Sequence, residues 1–130
     1  MHWLHITVCL QQYVRRGGFH IEFIPEYALS DMQSALVNIE ALNAVFGTES
    51  ILYAFPAYNN GCIRVRVGAF SSYEEADFYA ASVSGLLNGL PVQVVSPSAT
   101  GVSVVNPDTD RILFEYDNAD GTALGLKAIS

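Results

Sequence analysis

Apolar and polar residues alternate most strictly in the run from Cys62 to Phe70. The apolar set is Ile63, Val65 and Val67, and the opposite set is Cys62, Arg64, Arg66 and Gly68. A period of two predicts a β-strand with one buried face. A sheet face needs no cations to stay folded, so Arg64 and Arg66 raise the question of what they bind.

Apolar residues at three- and four-residue spacing predict two helices. The first follows a capping box formed by Ser30 and Gln33 and ends at Gly47. The second starts at Ser71 or Ser72, carries two glutamates in its first turn and ends at Asn88-Gly89. Its apolar stripe, like that of the first helix, predicts one buried side.

Strands are predicted around these helices at Phe19–Tyr27, Ile51–Tyr58 and Pro91–Val95. Pro56 predicts a short or edge strand, and Asn59-Asn60-Gly61 predicts a hairpin turn. The resulting order, β-α-β-β-α-β, predicts an α+β, ferredoxin-like domain with a four-stranded antiparallel sheet and two helices on one face. The two halves of this unit are similar to each other, and aligning Glu22 with Arg66 requires one extra residue in the first half, which we place as a bulge at residues 24–26.

The remaining segments divide the chain into three parts. Residues 1–18 form an N-terminal segment with a strand at His2–Leu10, residues 19–98 form the main domain, and residues 99–130 form a β-meander. Its three strands are predicted at Gly101–Val105, Arg111–Tyr116 and Ala123–Ala128, because strong turn signals separate them.

Composition narrows the classes of function. A chain of 130 residues with 51% apolar residues is globular, and its net charge of −7 opposes general binding to nucleic acid. The first ten residues lack the basic start of an export signal, and their apolar run is too short to span a bilayer. We therefore expect no membrane insertion in this segment.

Candidate reactive groups favour structural explanations. Cys9 and Cys62 lack metal-ligand spacing, and free thiols are favoured over a disulfide, which stays an open alternative. The three histidines have no partner cysteines, and the aspartate-rich loops lack the full set of calcium ligands. Capping explains Glu74 and Glu75, and no other carboxylate pair or activated serine stands out. We expect no metal, no cofactor and no catalytic site.

The stretch NGCIRVRVGAFSSYEEADFYAASVSGLLNG, residues 60–89, resembles the second half of a SPOR (sporulation-related repeat) domain. The shared features are a strand ending in Arg-Val-x-Val-Gly-x-Phe and a following helix with Glu-Glu-Ala near its start. The resemblance extends over residues 19–97 and is weaker in the first half. Near the C-terminus, ILFEYDNADGTALGLKA is similar to a stretch that follows SPOR-like segments in relatives of the stage II sporulation protein D (SpoIID/LytB) cell-wall lytic enzymes, whose catalytic core has no counterpart here.

This resemblance implies a noncatalytic module of the cell envelope that binds peptidoglycan glycan strands stripped of their peptides and targets an attached lytic domain to the septal wall. The glycan would lie across the helix-free face of the sheet, where guanidinium groups can bridge sugar hydroxyls and carboxylates. The residues that the resemblance and strand parity bring to this site are Arg64, Arg66, Glu22, Cys62, Gln93, His20 and Tyr58. Cys62 stands where the family often has an aromatic residue, and Glu22 stands where it usually has glutamine.

Three alternatives stay open. A degenerate SPOR-like domain could have a structural or protein-interaction role and pack on a catalytic domain, with Glu22 serving only as the ion-pair partner of the arginines. The same topology supports RNA recognition, but the central strands lack the required aromatics. A small enzyme of the ferredoxin-like class has no acid/base constellation to support it.

Overall fold

The computed structural model describes residues 12–14, 18–96 and 101–117. The strands predicted at His2–Leu10 and Ala123–Ala128 lie outside the described residues, as does Cys9. Cys62 carries a free thiol.

The described residues form an α+β structure with two helices and one sheet. The strands are β1 (Gln12–Val14), β2 (Phe19–Phe23), β3 (Tyr27–Ala28), β4 (Ala54–Asn59), β5 (Cys62–Phe70), β6 (Val92–Val95), β7 (Val102–Asn106) and β8 (Arg111–Tyr116). The helices are α1 (Met32–Phe46), preceded by a 3-10 turn, and α2 (Tyr73–Leu86).

Seven strands form a continuous sheet in the order β1-β7-β8-β4-β5-β2-β6, and the short β3 pairs separately with β5. All pairings are antiparallel except that of β4 with β8, which is parallel. The predicted four-stranded sheet is therefore only part of a larger one. The segment predicted as a meander supplies β7 and β8, which continue the same sheet beyond β4.

Of the two alternatives predicted from Pro56, a short strand or an edge strand, the edge strand is wrong, and β4 is a strand of six residues. β4 pairs with β5 on one side, and on the other it pairs with β8 at Ala57 and Tyr58. This second pairing begins just after the proline, whose missing N–H cannot join a ladder. The predicted hairpin turn is confirmed, since Asn60 and Gly61 have φ angles of 50° and 82°.

Both helices pack on one face of the sheet and form the main core with it. Strand residues such as Ile21, Val65 and Val67 meet Leu42 of α1 and Val83 of α2 in one buried cluster. Because strand side chains alternate, the residues between them point to the other face. That helix-free face carries the candidate site.

The two helix starts differ in how their backbone N–H groups are satisfied. Ser72 caps α2, because its hydroxyl accepts a hydrogen bond from Glu75 N at 3.1 Å. The capping box predicted at Ser30 and Gln33 is wrong: α1 begins after Asp31, which makes no side-chain capping bond, because residues 29–31 form a 3-10 turn instead.

The predicted pairing of Glu22 with Arg66 is confirmed, and it depends on two irregularities in the ladder. Between Phe19 and Ile21 the register slips, so that β5 carries one extra residue around Gly68. On the other side of Glu22, the chain leaves β5 after Phe23 and returns to it at Tyr27. The irregular segment predicted at residues 24–26 therefore exists, as a break between two strands.

Candidate functional site

A group of polar side chains lies on the helix-free face of the sheet, and we call it the polar cluster. Its members are His20, Glu22, Arg64, Arg66, Gln93, Ser103, Glu115 and Asp117. Four of them are almost completely buried, since His20, Glu22, Arg66 and Glu115 expose 4% of their surface or less. Charged residues are rarely buried to this extent unless they are paired.

Strand register places these residues together. Glu22 lies opposite Arg66 on β5 and opposite Gln93 on β6. In the part of the sheet beyond β5, Ala57 of β4 lies opposite Glu115 of β8, and Ser103 of β7 also pairs with Glu115. Residues paired across strands share a face, so the alternation that buries the valines of β5 gathers its arginines with acidic partners from two other strands.

Arg66 is the centre of the cluster. Its guanidinium donates from Nε to Glu22 at 2.8 Å, from Nη1 to Glu115 at 2.7 Å and from Nη2 to Asp117 at 2.8 Å. Burial by itself would lower the pKa of Arg66, but the charges of Asp117 and Glu22 and the hydrogen bonds to Asp117 and Glu115 outweigh it and raise that pKa. Arg66 is thus a fixed cation whose donors are directed at three carboxylates.

Glu115 receives hydrogen bonds from three side chains. Its Oε1 accepts from Arg66, and its Oε2 accepts from Ser103 at 2.7 Å and lies 3.1 Å from Nε2 of His20. Burial by itself would raise the pKa of Glu115. The hydrogen bond from His20, the charge interaction with His20 and the hydrogen bonds from Ser103 and Arg66 outweigh burial and lower that pKa to about 2. Glu115 is therefore an ionised carboxylate inside the protein.

Both ring nitrogens of His20 face acceptors. Nδ1 lies 2.6 Å from the carbonyl oxygen of Gly68, and Nε2 faces the ionised Glu115. A carbonyl and a carboxylate accept hydrogen bonds, so a ring nitrogen that carries a hydrogen can donate to its neighbour. The His20 ring also makes an edge-to-face contact with Phe55, at a centroid distance of 5.3 Å.

The contact between His20 and Glu115 joins strands that are not neighbours in the sheet. His20 lies on β2 and Glu115 on β8, with β5 and β4 between them in the strand order. Neighbouring strands are about 4.8 Å apart, so the backbones of the two residues are separated by roughly 14 Å in a flat sheet. The two long side chains extend toward each other over this face, and Nε2 of His20 lies 3.1 Å from Oε2 of Glu115. β8 thus supplies a partner for a residue on β2.

The rim of the cluster is more exposed. The Arg64 side chain is 37% exposed and donates to Glu22 at 3.1 Å, while Gln93 donates to the same carboxylate oxygen at 2.8 Å. The Nε of Arg64 lies 3.4 Å from Glu26, which is an ion-pair distance without hydrogen-bond geometry. Arg64 also lines a cavity of about 60 Å³ together with Glu26, Ala57, Asn59, Cys62 and Asp117.

The seven predicted site residues separate into three groups. His20, Glu22 and Arg66 lie together in the buried centre, and Arg64, Gln93 and Cys62 lie at its rim. Tyr58 does not lie on this face. It pairs with Ile63, whose side chain points to the face opposite that of Arg64, and the Tyr58 ring contacts Phe114 and Tyr116. The prediction for Tyr58 depended on strand parity, and the observed register gives it the other parity.

Sequence reasoning missed Ser103, Glu115 and Asp117. In the run Arg111–Tyr116, Glu115 is the one acidic residue of a predicted strand, which could have marked it for a buried partner. The partner itself could not be identified, because the parallel pairing of β8 with β4 has no local signal.

A larger open groove of about 400 Å³ lies on the helix side of the sheet, between α1, β4 and β8. Its main polar groups are already bonded within the chain. Asn43 exchanges hydrogen bonds with the backbone of Ala54, and Arg111 donates to the carbonyls of Thr48 and Ser50. Arg111 also stacks over the ring of Tyr53.

Searches for other kinds of site and for relatives gave negative results. Within the described ranges, no group of three or more potential ligands could hold a metal ion, and no helix has the length and hydropathy needed to cross a bilayer. Comparison of the chain with protein-family models, with curated proteins and with solved structures gives no match. The resemblance to SPOR domains therefore stays a prediction from the sequence.

Proposed function

We propose that this chain is a noncatalytic structural or protein-interaction domain, SPOR-like in its central βαββαβ unit, that packs on an attached catalytic domain of the cell envelope. In this proposal β2, α1, β4, β5, α2 and β6 form the ferredoxin-like unit, with strands in the order β4-β5-β2-β6. The strands β7 and β8 are an addition that extends the sheet beyond β4 and supplies Ser103 and Glu115 to the polar cluster.

The observation that supports this proposal most is the burial of Arg66. Its three hydrogen bonds to carboxylates are charge-assisted, and each such bond contributes about 1.5–3 kcal/mol. A glycan would have to replace them with bonds to mostly neutral hydroxyl and amide oxygens, which are weaker acceptors. Arg66 is therefore a poor candidate for binding sugar and a good one for joining β5 to β2 and β8.

Glycan binding at the rim is the second candidate. The exposure of Arg64 favours it, because a guanidinium that is 37% exposed can contact a ligand without opening the cluster. Gln93 lies on β6, which β2 separates from β5, and it is also exposed and offers an amide. This candidate keeps the septal peptidoglycan expected from the resemblance but confines its contacts to the outer part of the face.

Sedimentation with peptidoglycan distinguishes the two candidates. The purified chain is mixed with intact sacculi and with sacculi whose peptides have been removed by an amidase. A structural domain is expected to stay in the supernatant in both cases, at the level of an unrelated acidic protein.

Selective pelleting with the denuded material would overturn the structural proposal if Arg64→Ala abolished it. Arg111→Ala is the control, since it removes the same charge at a position away from the polar cluster. Pelleting that both variants lose equally would indicate nonspecific attraction and would leave the structural proposal standing.

A further inference from the structure

Strand β6 forms one end of the sheet and presents an unpaired edge. Ile24 N donates to the carbonyl of Pro91 at 2.9 Å, and the register then continues through Glu22 and Gln93. In an antiparallel ladder, every second residue makes the hydrogen bonds to the neighbouring strand. Gln93 and Val95 therefore direct their backbone groups toward β2, while Val92 and Val94 direct theirs outward. Among the described residues, β6 pairs with β2 alone.

This edge lacks most of the features that prevent strand pairing. Natural edges are protected by a very short strand, by lysine or proline, or by a bulge. β6 is short, with four residues, and Pro91 precedes it, but the strand reads Val-Gln-Val-Val without charge or proline, and its register with β2 is regular over all four positions.

β6 and the part of α2 beside it are also free of charge. No Asp, Glu, Lys, Arg or His occurs between Asp77 and Asp108, a span that includes most of α2 and all of β6. His20 and Glu22 of the neighbouring strand β2 are buried. Ser84 donates to the carbonyl of Leu90, so this side of α2 faces the start of β6. Ala80 and Ala81 lie on the same side of the helix by their three- and four-residue spacing from Ser84. Small uncharged side chains thus flank the open edge.

A second copy of this chain fits the edge better than a partner of another kind. With a net charge of −7, two copies repel one another over most of their surfaces, and this uncharged region is where the repulsion is weakest. A basic partner would be attracted to the acidic surfaces instead. An antiparallel pair of identical strands is also compatible with the two-fold symmetry of most homodimers.

We infer that β6 is the pairing edge of a symmetric dimer, in which Val92 of each copy pairs with Val94 of the other. Residues that pair across two strands must point to the same face of the sheet. The two-fold axis of the dimer therefore has to pass between two copies of the same residue, and it cannot lie between two successive residues of the strand. Centring on Gln93 satisfies this condition and joins the outward backbone groups of Val92 and Val94. The two α2 helices then lie side by side on the same face, and their small side chains permit close approach.

The test is sedimentation equilibrium of the chain over a wide concentration range, comparing wild type with Val94→Pro. Because the N–H of Val94 points outward, proline at this position removes a bond to the second copy but none to β2. We expect a concentration-dependent dimer for wild type and at least a tenfold weaker association for Val94→Pro. The control is Val94→Thr, which keeps the N–H and the branched side chain and should dimerise like wild type.

Amide hydrogen exchange gives a second readout that does not depend on a variant. The amides of Val92 and Val94 should exchange fast at low protein concentration and slowly at high concentration, while those of Gln93 and Val95 should be protected throughout. A monomer at every concentration, a dimer that Val94→Pro leaves unchanged, or outward amides already protected in the monomer would each overturn the inference.

Discussion

The polar cluster shows how one residue can determine whether a face of a sheet is open or closed. Arg66 alternates with buried valines, which is the pattern of a strand with one solvated side. In the folded chain it is instead buried, because Glu22, Glu115 and Asp117 each accept one of its hydrogen bonds. A buried ion pair of this kind adds little stability relative to an apolar substitute of similar size, but removing one partner leaves a charge uncompensated.

The first prediction concerns the loss of this cation. Arg66→Met leaves Glu22 and Glu115 buried without their central partner, so we expect the free energy of unfolding to fall by about 3–5 kcal/mol. Urea denaturation measures the change. Arg64→Met is the matched control on the same strand, and its effect should be about 1 kcal/mol or less because its side chain is 37% exposed. Equal losses for the two variants would contradict the assignment of Arg66 as the centre of the cluster.

The second prediction concerns acid stability. The folded protein holds the pKa of Glu115 at about 2, below its ordinary value of 4.5. Ionised Glu115 therefore stabilises the fold fully above pH about 4.5, and this contribution is lost as the pH falls toward 2. Urea denaturation between pH 7 and pH 2.5 should show a progressive loss of stability that Glu115→Gln reduces.

NMR titration of the Glu115 carboxyl carbon tests the same prediction directly. Its resonance should stay that of a carboxylate down to pH 3. A midpoint near 4.5 would show that the hydrogen bonds from His20, Ser103 and Arg66 do not control its ionisation.

At the scale of elements, the irregularity in β5 is what brings its arginines to the cluster. The extra residue at Gly68 shifts the register between Phe19 and Ile21, so that Glu22 lies opposite Arg66. Gly68 has a φ of 75°, and a Cβ at this position would lie 2.5 Å from the Phe70 ring. Its carbonyl also accepts the hydrogen bond from His20. The strand therefore needs glycine at this point.

The third prediction compares two glycines. Gly68→Ala forces a side chain into a left-handed conformation and against Phe70, so we expect a loss of about 1–3 kcal/mol in the free energy of unfolding. Gly85→Ala lies in α2, where an added Cβ meets nothing within 4 Å, and it should stabilise by about 0.5–1 kcal/mol. Thermal and urea denaturation should move in opposite directions for the two variants. A Gly68→Ala variant as stable as the wild type would show that the bulge accepts a side chain without strain.

At the scale of the whole molecule, β7 and β8 determine the shape of the site. Their strands contribute Ser103 and Glu115 to the cluster and supply part of a second buried core, in which Val105 and Ile112 meet Tyr53 and Phe55. The C-terminal strands are thus continuous with the rest of the sheet in both hydrogen bonding and packing.

The fourth prediction follows from this continuity. The slowest-exchanging amides of β7 and β8 should open with the same free energy as those of β5, because the cluster joins all three strands into one cooperative unit. Native-state hydrogen exchange at increasing urea concentration measures this. Exchange of β7 and β8 at a much lower free energy, with β5 still protected, would identify them as a separately unfolding extension.

The sequence by itself determined the local features of this protein. Alternation on β5, the Ser72 cap of α2 and the Asn60-Gly61 turn depend on residues near one another in the chain. Glu22 and Arg66 lie 44 positions apart, and their pairing follows from the β-α-β-β-α-β order, which places β2 beside β5. The capping box predicted for α1 was wrong, because Leu29–Asp31 form a 3-10 turn over the residues that the box would need.

Only the tertiary structure decided what the arginine face does. The parallel pairing of β8 with β4 joins segments more than fifty residues apart, and no local pattern encodes it. That pairing brings Glu115 to His20 and Arg66, and it turns an expected open binding face into a buried network of charges. The physical reason is that side-chain alternation fixes which face a residue points to, whereas the partners that distant strands bring to that face decide whether its side chains meet water.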